Sequence, residues 1–317
     1  MKELNDVYVI GDTGSILDSS LNLLRWPNNF HYYRNEKTRY GEQVYNSVEA
    51  ARKKIQKGVI TVDTPCCYVL SFYHIYPYGH LYDSLQYIKE YIDEGVVSHP
   101  WLIGKVDSGH TQDVIEMHFK TFQYPDANIC LRRGDVKFFK KIYVSDHDTF
   151  PAQFDSEKIK WIKNSYRNRF NPYITERLSR LKDCNGDIKL YLGRDSVKKG
   201  QRGVLNSAEV EEFLLSRGFI ILDGTEGLLD HMSYFSTPQI VLGAHGSLFR
   251  NALFTFEGAS PAYYEFCADN RVDTSIKTAC ISCGATNYNQ YFVSGDLSHN
   301  ITIPIETLQS ILENHNE

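Results

Sequence analysis

Two apolar periods alternate along this chain. Short apolar runs recur at 7–10, 58–62, 67–72, 101–105, 129–132, 138–144, 190–192, 219–222, 240–242 and 262–266. Most are bounded by Gly, Pro, Asn or Asp and read as strands. Helical stripes lie between them. Leu81, Leu85, Ile88 and Ile92 predict a helix starting near Gly79. Helical spacing also marks 47–55, 112–122 and a long stretch from Ile159 to Leu181, which Pro172 must kink or split. Val210, Phe213 and Leu214 mark another helix, with Asn206 and Glu209 resembling a capping box at its start. Leu228, Leu229, Met232 and Phe235 mark the next, and a third begins at Leu248. Pro304 opens a last helix striped by Ile305, Leu308, Ile311 and Leu312. Residues 11–57 otherwise read as irregular, and 268–300 as loop.

Strands alternating with helices imply α/β architecture, with parallel sheets covered on both faces. Residues 146–151 are polar and without period, so a linker is expected there. It separates a domain over 1–150 from another over 151–317.

The densest chemistry lies between 189 and 256. Gly193-Arg194 ends one strand and opens a basic loop with Lys198, Lys199 and Arg202. Another strand runs into Gly243-Ala-His-Gly-Ser247. In a parallel α/β sheet, ligands bind at the carboxyl ends of the strands. Guanidinium forks match phosphate oxygens, and free N–H groups at a helix start suit an anion. Arg194, Arg202 and the backbone of Gly246, Ser247 and Leu248 therefore point to a phosphorylated ligand. His245 is placed to donate to the phosphate or to a sugar hydroxyl. Glu226 suits a ribose hydroxyl, and equally a plain acid in a helix first turn.

The series Gly193-Arg194, Arg202, Asn206, Glu209, Gly218-Phe219, Gly243-Ala-His-Gly, Asn251 and Phe254 resembles the C-terminal half of glycosyltransferase family 61. That family includes β-1,2-xylosyltransferases and O-linked N-acetylglucosaminyltransferases. The resemblance implies a GT-B fold, two Rossmann-like domains facing a central cleft, with a last helix crossing back to the first domain. It also implies an inverting, metal-independent transfer from a nucleotide sugar. Two departures are visible: Ser247 stands where members usually carry Ala, and Asp230-His231 where they often carry Glu-Gln. His80 and Asp83 match an aromatic-rich segment of the family in which an acid three residues after a His serves as base. The resemblance thus assigns catalysis to Asp83, supported by His80. An Asp in a helix first turn is also explained by the helix dipole alone.

Composition narrows the partners. The chain has 317 residues and a formal net charge of −5, so no basic field argues for nucleic acid. Seven cysteines without repeated spacing, including a single C-x-x-C at Cys280 and Cys283, read as free thiols of a reducing compartment. No leader-like segment or 18-residue apolar run occurs, so a soluble, cytoplasmic chain without a membrane span is expected. The one D-x-D spacing, Asp146 to Asp148, falls in the expected linker, so no metal and no other cofactor is expected. The expected activity moves a sugar from a UDP-sugar to a glycan or glycoprotein acceptor. UDP-xylose is the first choice of donor and UDP-N-acetylglucosamine the second. The rival is a non-catalytic sugar-nucleotide or glycan-binding module on the same fold. A nucleotide-sugar epimerase or dehydrogenase ranks lower, because the central turn lacks G-x-G-x-x-G.

Overall fold

The computed structural model describes residues 1–25, 39–69, 77–104, 119–122, 125–132, 134–145, 155–185, 187–194 and 202–315. Two compact units emerge, Met1–Ser165 and Tyr166–Glu317. The expected linker at 146–151, with Asp146 and Asp148, lies outside the described residues. So do 70–72 of the strand expected at 67–72 and most of the helix expected over 112–122.

The first unit is built on a mixed sheet. Its strands are β1 (Lys2–Ile10), β2 (Ile16–Leu17), β3 (Leu23–Arg25), β4 (Ile60–Val62), β5 (Cys66–Tyr68), β6 (Trp101–Gly104), β7 (Ile129–Leu131) and β8 (Val136–Val144). They lie in the order β3-β2-β1-β8-β5-β6-β7, with β4 also paired to β8. The β8-β5-β6-β7 side is parallel, as expected. The β1 side is not: β1 runs antiparallel to both β2 and β8. Only a short turn joins β1 to β2, whereas a parallel connection needs a crossover of a dozen or more residues. Alternation along β1 serves two cores. Val7 and Val9 join Tyr68, Leu102 and Phe139, whereas Ile10 joins Leu17 and the Val44 and Val48 of helix α1 (Arg39–Ile55). The region read as irregular over 11–57 thus holds two short strands and a longer helix than 47–55.

Helix α2 (Pro77–Asp93) connects β5 to β6 and opens on a proline. Among its described side chains Leu85, Ile88 and Tyr91 are buried and Ile92 is only partly so, with the Tyr91 hydroxyl donating to the Tyr68 carbonyl at 2.6 Å; the side chain of Leu81 lies outside the described residues. Helix α3 (Ser156–Asn185) is capped by Asp155, whose Oδ1 accepts the N–H groups of Glu157 at 2.9 Å and Lys158 at 3.0 Å. Pro172 does not split it; the helix continues through the proline, and the division between units falls inside it.

The second unit carries β9 (Lys189–Leu192), α4 (Ser207–Leu215), β10 (Phe219–Leu222), α5 (Leu228–Ser236), β11 (Ile240–Ala244), a 3-10 helix (Ser247–Phe254), β12 (Ala262–Ala268), α6 (Ser275–Ser282), β13 (Asn287–Val293) and α7 (Ile305–His315). The sheet is fully parallel, in the order β10-β9-β11-β12-β13. Leu190, Tyr191 and Leu192 are all buried, as a strand covered on both faces requires. Tyr191, Leu242 and Phe266 pack with Val210 and Leu214 of α4 and with Leu308 and Ile311 of α7. The last helix therefore spends its stripe on this unit's own core.

Three expectations change here. The segment read as loop over 268–300 holds α6 and β13. Strand β13, Asn-Tyr-Asn-Gln-Tyr-Phe-Val, is the edge of the sheet, where polar side chains are tolerated and hide the strand signal. The helix starting near Leu248 is 3-10. Asn206 forms no capping box: its side-chain amide clamps the backbone of Ile303, donating to the carbonyl at 2.9 Å and accepting the N–H at 3.0 Å.

Candidate functional site: an arginine-lined crevice at the sheet switch point

Strand order 2-1-3-4-5 reverses direction between its first and third strands, here β9 and β11. Connections leave their carboxyl ends toward opposite sides, which opens a crevice. Gly243 lets the two strands meet there, since a Cβ at that position would lie 2.7 Å from the Cβ of Leu192 and 2.9 Å from its carbonyl oxygen. Arg194 leaves β9 and His245 leaves β11, and the Arg194 Nη1 donates to the His245 carbonyl. Gly246 packs against that guanidinium; a Cβ there would be 3.4 Å from Arg194 Cζ.

Three arginines line one hollow. Arg194, Arg202 and Arg271 surround it with His245, His299 and the apolar walls Phe266, Ala268 and Ile301. Burial lowers the pKa of Arg194 to about 10, and the charges of Arg202 and Arg271 push the same way. It stays charged at neutral pH, and an anion beside it would relieve that repulsion. Arg202 and His299 both have left-handed backbone, φ 53° and 60°. Non-glycine residues rarely adopt it, and such strain gathers at functional sites. A backbone clamp enforces it here. Arg202 N–H donates to the Ser298 carbonyl at 3.3 Å, Ile301 N–H to Gly203 at 3.0 Å and Leu205 N–H to Ile301 at 2.8 Å.

Behind the arginines lies a buried network. Glu265 sits in the middle of β12, fully buried. Its Oε1 is 2.7 Å from His245 Nδ1, and its Oε2 accepts Gln290 Nε2 at 2.7 Å from the directly opposite position on β13. The other ring nitrogen of His245, Nε2, faces Asp273 Oδ2 at 3.4 Å. Burial opposes the charged imidazole, but Asp273 and Glu265 outweigh it and raise the His245 pKa. Asp273 is itself held ionised: burial works against it, and His245 and the Ser275 N–H override that. Cys267 brings a third ligand-type atom within 4.8 Å of His245 and Glu265. Donors around a tetrahedral ion with bonds near 2.0–2.1 Å sit roughly 3.4 Å apart. The 2.7 Å spacing of His245 and Glu265 is that of a hydrogen bond, so the group reads as a bonded pair rather than a ligand set.

The sequence profile described as Glycosyltransferase 61 matches residues 62–261, well over half of the chain. The chain belongs to glycosyltransferase family 61. A search of the curated proteins finds no match.

The matched region contains every candidate catalytic and donor-binding residue named from the sequence. Arg194, Arg202 and His245 line the same hollow, and Gly246 packs on Arg194; Ser247 and Leu248 follow at the start of the 3-10 helix. Ser247 is exposed and opens the 3-10 helix, whose first N–H groups have no partner within the helix. The Leu248 side chain covers Gly224, 3.5 Å from where its Cβ would be, and so packs the 3-10 helix onto the loop after β10. Glu226 lies on that loop with its oxygens committed locally. They accept the Asp223 and Gly224 N–H groups at 2.9 Å each and meet His231 Nε2 at 3.2 Å. Hence its pKa falls to about 2 against the opposing effect of burial. Asp230, the departure beside His231, pairs with Arg177 and accepts the Gly227 N–H at 3.3 Å. His80 and Asp83 lie in the first turns of α2 in the other unit, and their side chains are outside the described residues.

Glu265, Arg271 and Asp273 were not singled out, and all three lie beyond the matched region. Signals existed. Glu265 is a lone charge inside the apolar run Ala-Tyr-Tyr-Glu-Phe-Cys-Ala, and buried charges require partners. Arg271 follows a strand end, as Arg194 does. Among the described residues no helix is long and apolar enough to cross a membrane. Cys66, Cys67, Cys130, Cys267, Cys280 and Cys283 are free thiols.

Proposed function

We propose that this family 61 glycosyltransferase moves a sugar, with inversion and without a divalent metal, from a UDP-sugar to a hydroxyl of a glycan acceptor. The observation that carries the reading is the convergence of Arg194, Arg202 and Arg271 on a hollow beside the start of the 3-10 helix. Three guanidinium groups and free N–H groups offer fixed positive charge where a diphosphate leaving group gains negative charge. In this reading the arrangement is GT-B. The Asp83 carboxylate takes the acceptor hydroxyl proton, supported by His80. The acceptor oxygen bonds to C1 as the bond from C1 to the β-phosphate oxygen breaks, and UDP leaves with the electron pair. Glu226 acts by shaping the loop beside the crevice. UDP-xylose is the first choice of donor, by family membership, and UDP-N-acetylglucosamine the second.

The test is a transfer assay on a panel of UDP-sugars in EDTA, paired with calorimetry of UDP. Transfer should persist in EDTA; activity abolished there and restored by Mn²⁺ would overturn the metal-free reading. Asp83→Asn should keep UDP affinity and reduce transfer by roughly 10²–10⁴-fold, the usual contribution of a positioned base. A folded mutant transferring at near wild-type rate would remove Asp83 from the chemistry.

A further inference from the structure

We infer that Glu265 is a positioning residue of the anion site: with Asp273 it holds His245 as an imidazolium, a fixed fourth cation behind the three arginines. For the identity of the anion this rests on the proposed donor; for the state of His245 it does not.

The argument is one of donors and acceptors. Nδ1 of His245 meets Glu265 at 2.7 Å and Nε2 faces Asp273 at 3.4 Å. A neutral imidazole carries one N–H and one lone pair, so one of these carboxylates would then confront a lone pair. The imidazolium has two N–H groups and satisfies both. The raised His245 pKa agrees with this. The charge also explains how an acid is tolerated in mid-sheet: a buried carboxylate needs a charged partner, and Gln290 alone is neutral. The groups facing His245 come from every neighbouring element. They are Glu265 and Cys267 on β12, Arg271 and Asp273 after it, Arg194 after β9, and Arg202 and His299 at the clamp. Burial keeps Cys267 a neutral thiol. Four cations against two carboxylates leave the cluster with two positive charges, the complement of a diphosphate.

The consequence differs from the role expected of His245 from sequence. With Nδ1 bonded to Glu265 and Nε2 turned to Asp273 at 3.4 Å, its imidazole is directed at these carboxylates rather than at the sugar. It acts through its charge and through its backbone, whose carbonyl receives the Arg194 guanidinium and whose N–H is bonded to the Phe266 carbonyl at 2.8 Å.

The state of His245 is read directly by an NMR pH titration of its ring in the ligand-free full chain. The wild-type ring should remain imidazolium through pH 7, with Glu265→Gln lowering its midpoint by at least one pH unit and Asp273→Asn lowering it less. A neutral wild-type ring at pH 7, or an unmoved midpoint in Glu265→Gln, overturns the inference. Calorimetry of UDP from pH 6 to 8 gives the functional readout. Wild-type affinity should be nearly flat, whereas in Glu265→Gln it should weaken by up to about tenfold per pH unit above the new midpoint. Identical profiles would overturn it too. A charged His245 in a protein that does not bind UDP supports the inference and overturns the proposed donor.

Discussion

Two glutamate–histidine pairs sit at the same sheet and do different work. Glu226 and His231 lie on the loop and helix after β10. Glu226 also takes two backbone N–H groups, and its partners all fall within five residues in sequence. Glu265 on β12 and His245, just past the end of β11, are 20 residues apart, and Gln290 comes from β13. The first pair folds a loop; the second is a buried charge pair whose histidine holds Arg194 through its carbonyl. A carboxylate saturated by its own loop is explained by local structure. One that reaches across strands in the sheet centre costs desolvation that local structure does not repay.

The contrast can be broken most sharply by truncation. Glu265→Ala leaves a buried His245 without its closer counter-charge and should cost about 3–5 kcal/mol of stability, the usual loss from breaking a buried pair. Glu226→Ala removes hydrogen bonds of a partly exposed turn and should cost about 1–2 kcal/mol. Urea unfolding at pH 7 measures both, and equal costs would end the distinction.

Ligand binding gives the next largest difference. Arg194→Ala should weaken UDP binding by roughly 1.5–3 kcal/mol, the value of a hydrogen bond to a charged group. Arg194→Lys should restore only part, having lost the fork. Arg177 pairs with Asp230 beside the Glu226 loop, and Arg177→Ala should change UDP affinity by no more than about 0.5 kcal/mol, as surface substitutions usually do. Calorimetry showing the reverse order would move the anion site to the other pair.

The two pairs should also give opposite pH slopes. The folded pKa of Glu226, about 2, lies below its ordinary 4.5, so its contribution is present above pH 4.5 and is lost as pH falls toward 2. The His245 pKa is raised above its ordinary 6.5, so its contribution is present below that value and is lost as pH rises through the higher folded one. Melting temperatures recorded from pH 2.5 to 9 should show both limbs. Glu226→Gln should flatten the acid limb and Glu265→Gln the alkaline one.

The smallest effect is expected at Gly246. Its φ of 179° suits any residue, and the added Cβ would meet Arg194 at an ordinary 3.4 Å. Gly246→Ala should therefore change stability by less than about 0.5 kcal/mol and UDP affinity by less than about twofold. A loss as large as that of Arg194→Ala would mean that the guanidinium needs the bare backbone.

Much of the second unit was legible because its strands are buried on both faces and so read as unbroken apolar runs. Arg194 and the His245 turn were legible because each follows directly on such a strand. Strand β13 was not, because Asn287, Asn289 and Gln290 occupy a sheet edge where polar side chains carry no penalty. Neither was the antiparallel β1–β2 pairing, which depends on chain reversal and leaves no period of its own.

From the sequence alone came the α/β class, the family, and the strand ends that carry Arg194 and His245. These depend on hydrophobic period and on residues adjacent to a strand, and both are local properties. The tertiary structure decided which acids matter. Glu226 looked suited to a ligand and proved committed to its own loop, while Glu265 looked like one stray charge in a strand and proved to be the partner of His245. Parallel strands bring together residues that are 20 or more positions apart, and whether a buried charge is paired depends on that register, which no single segment contains.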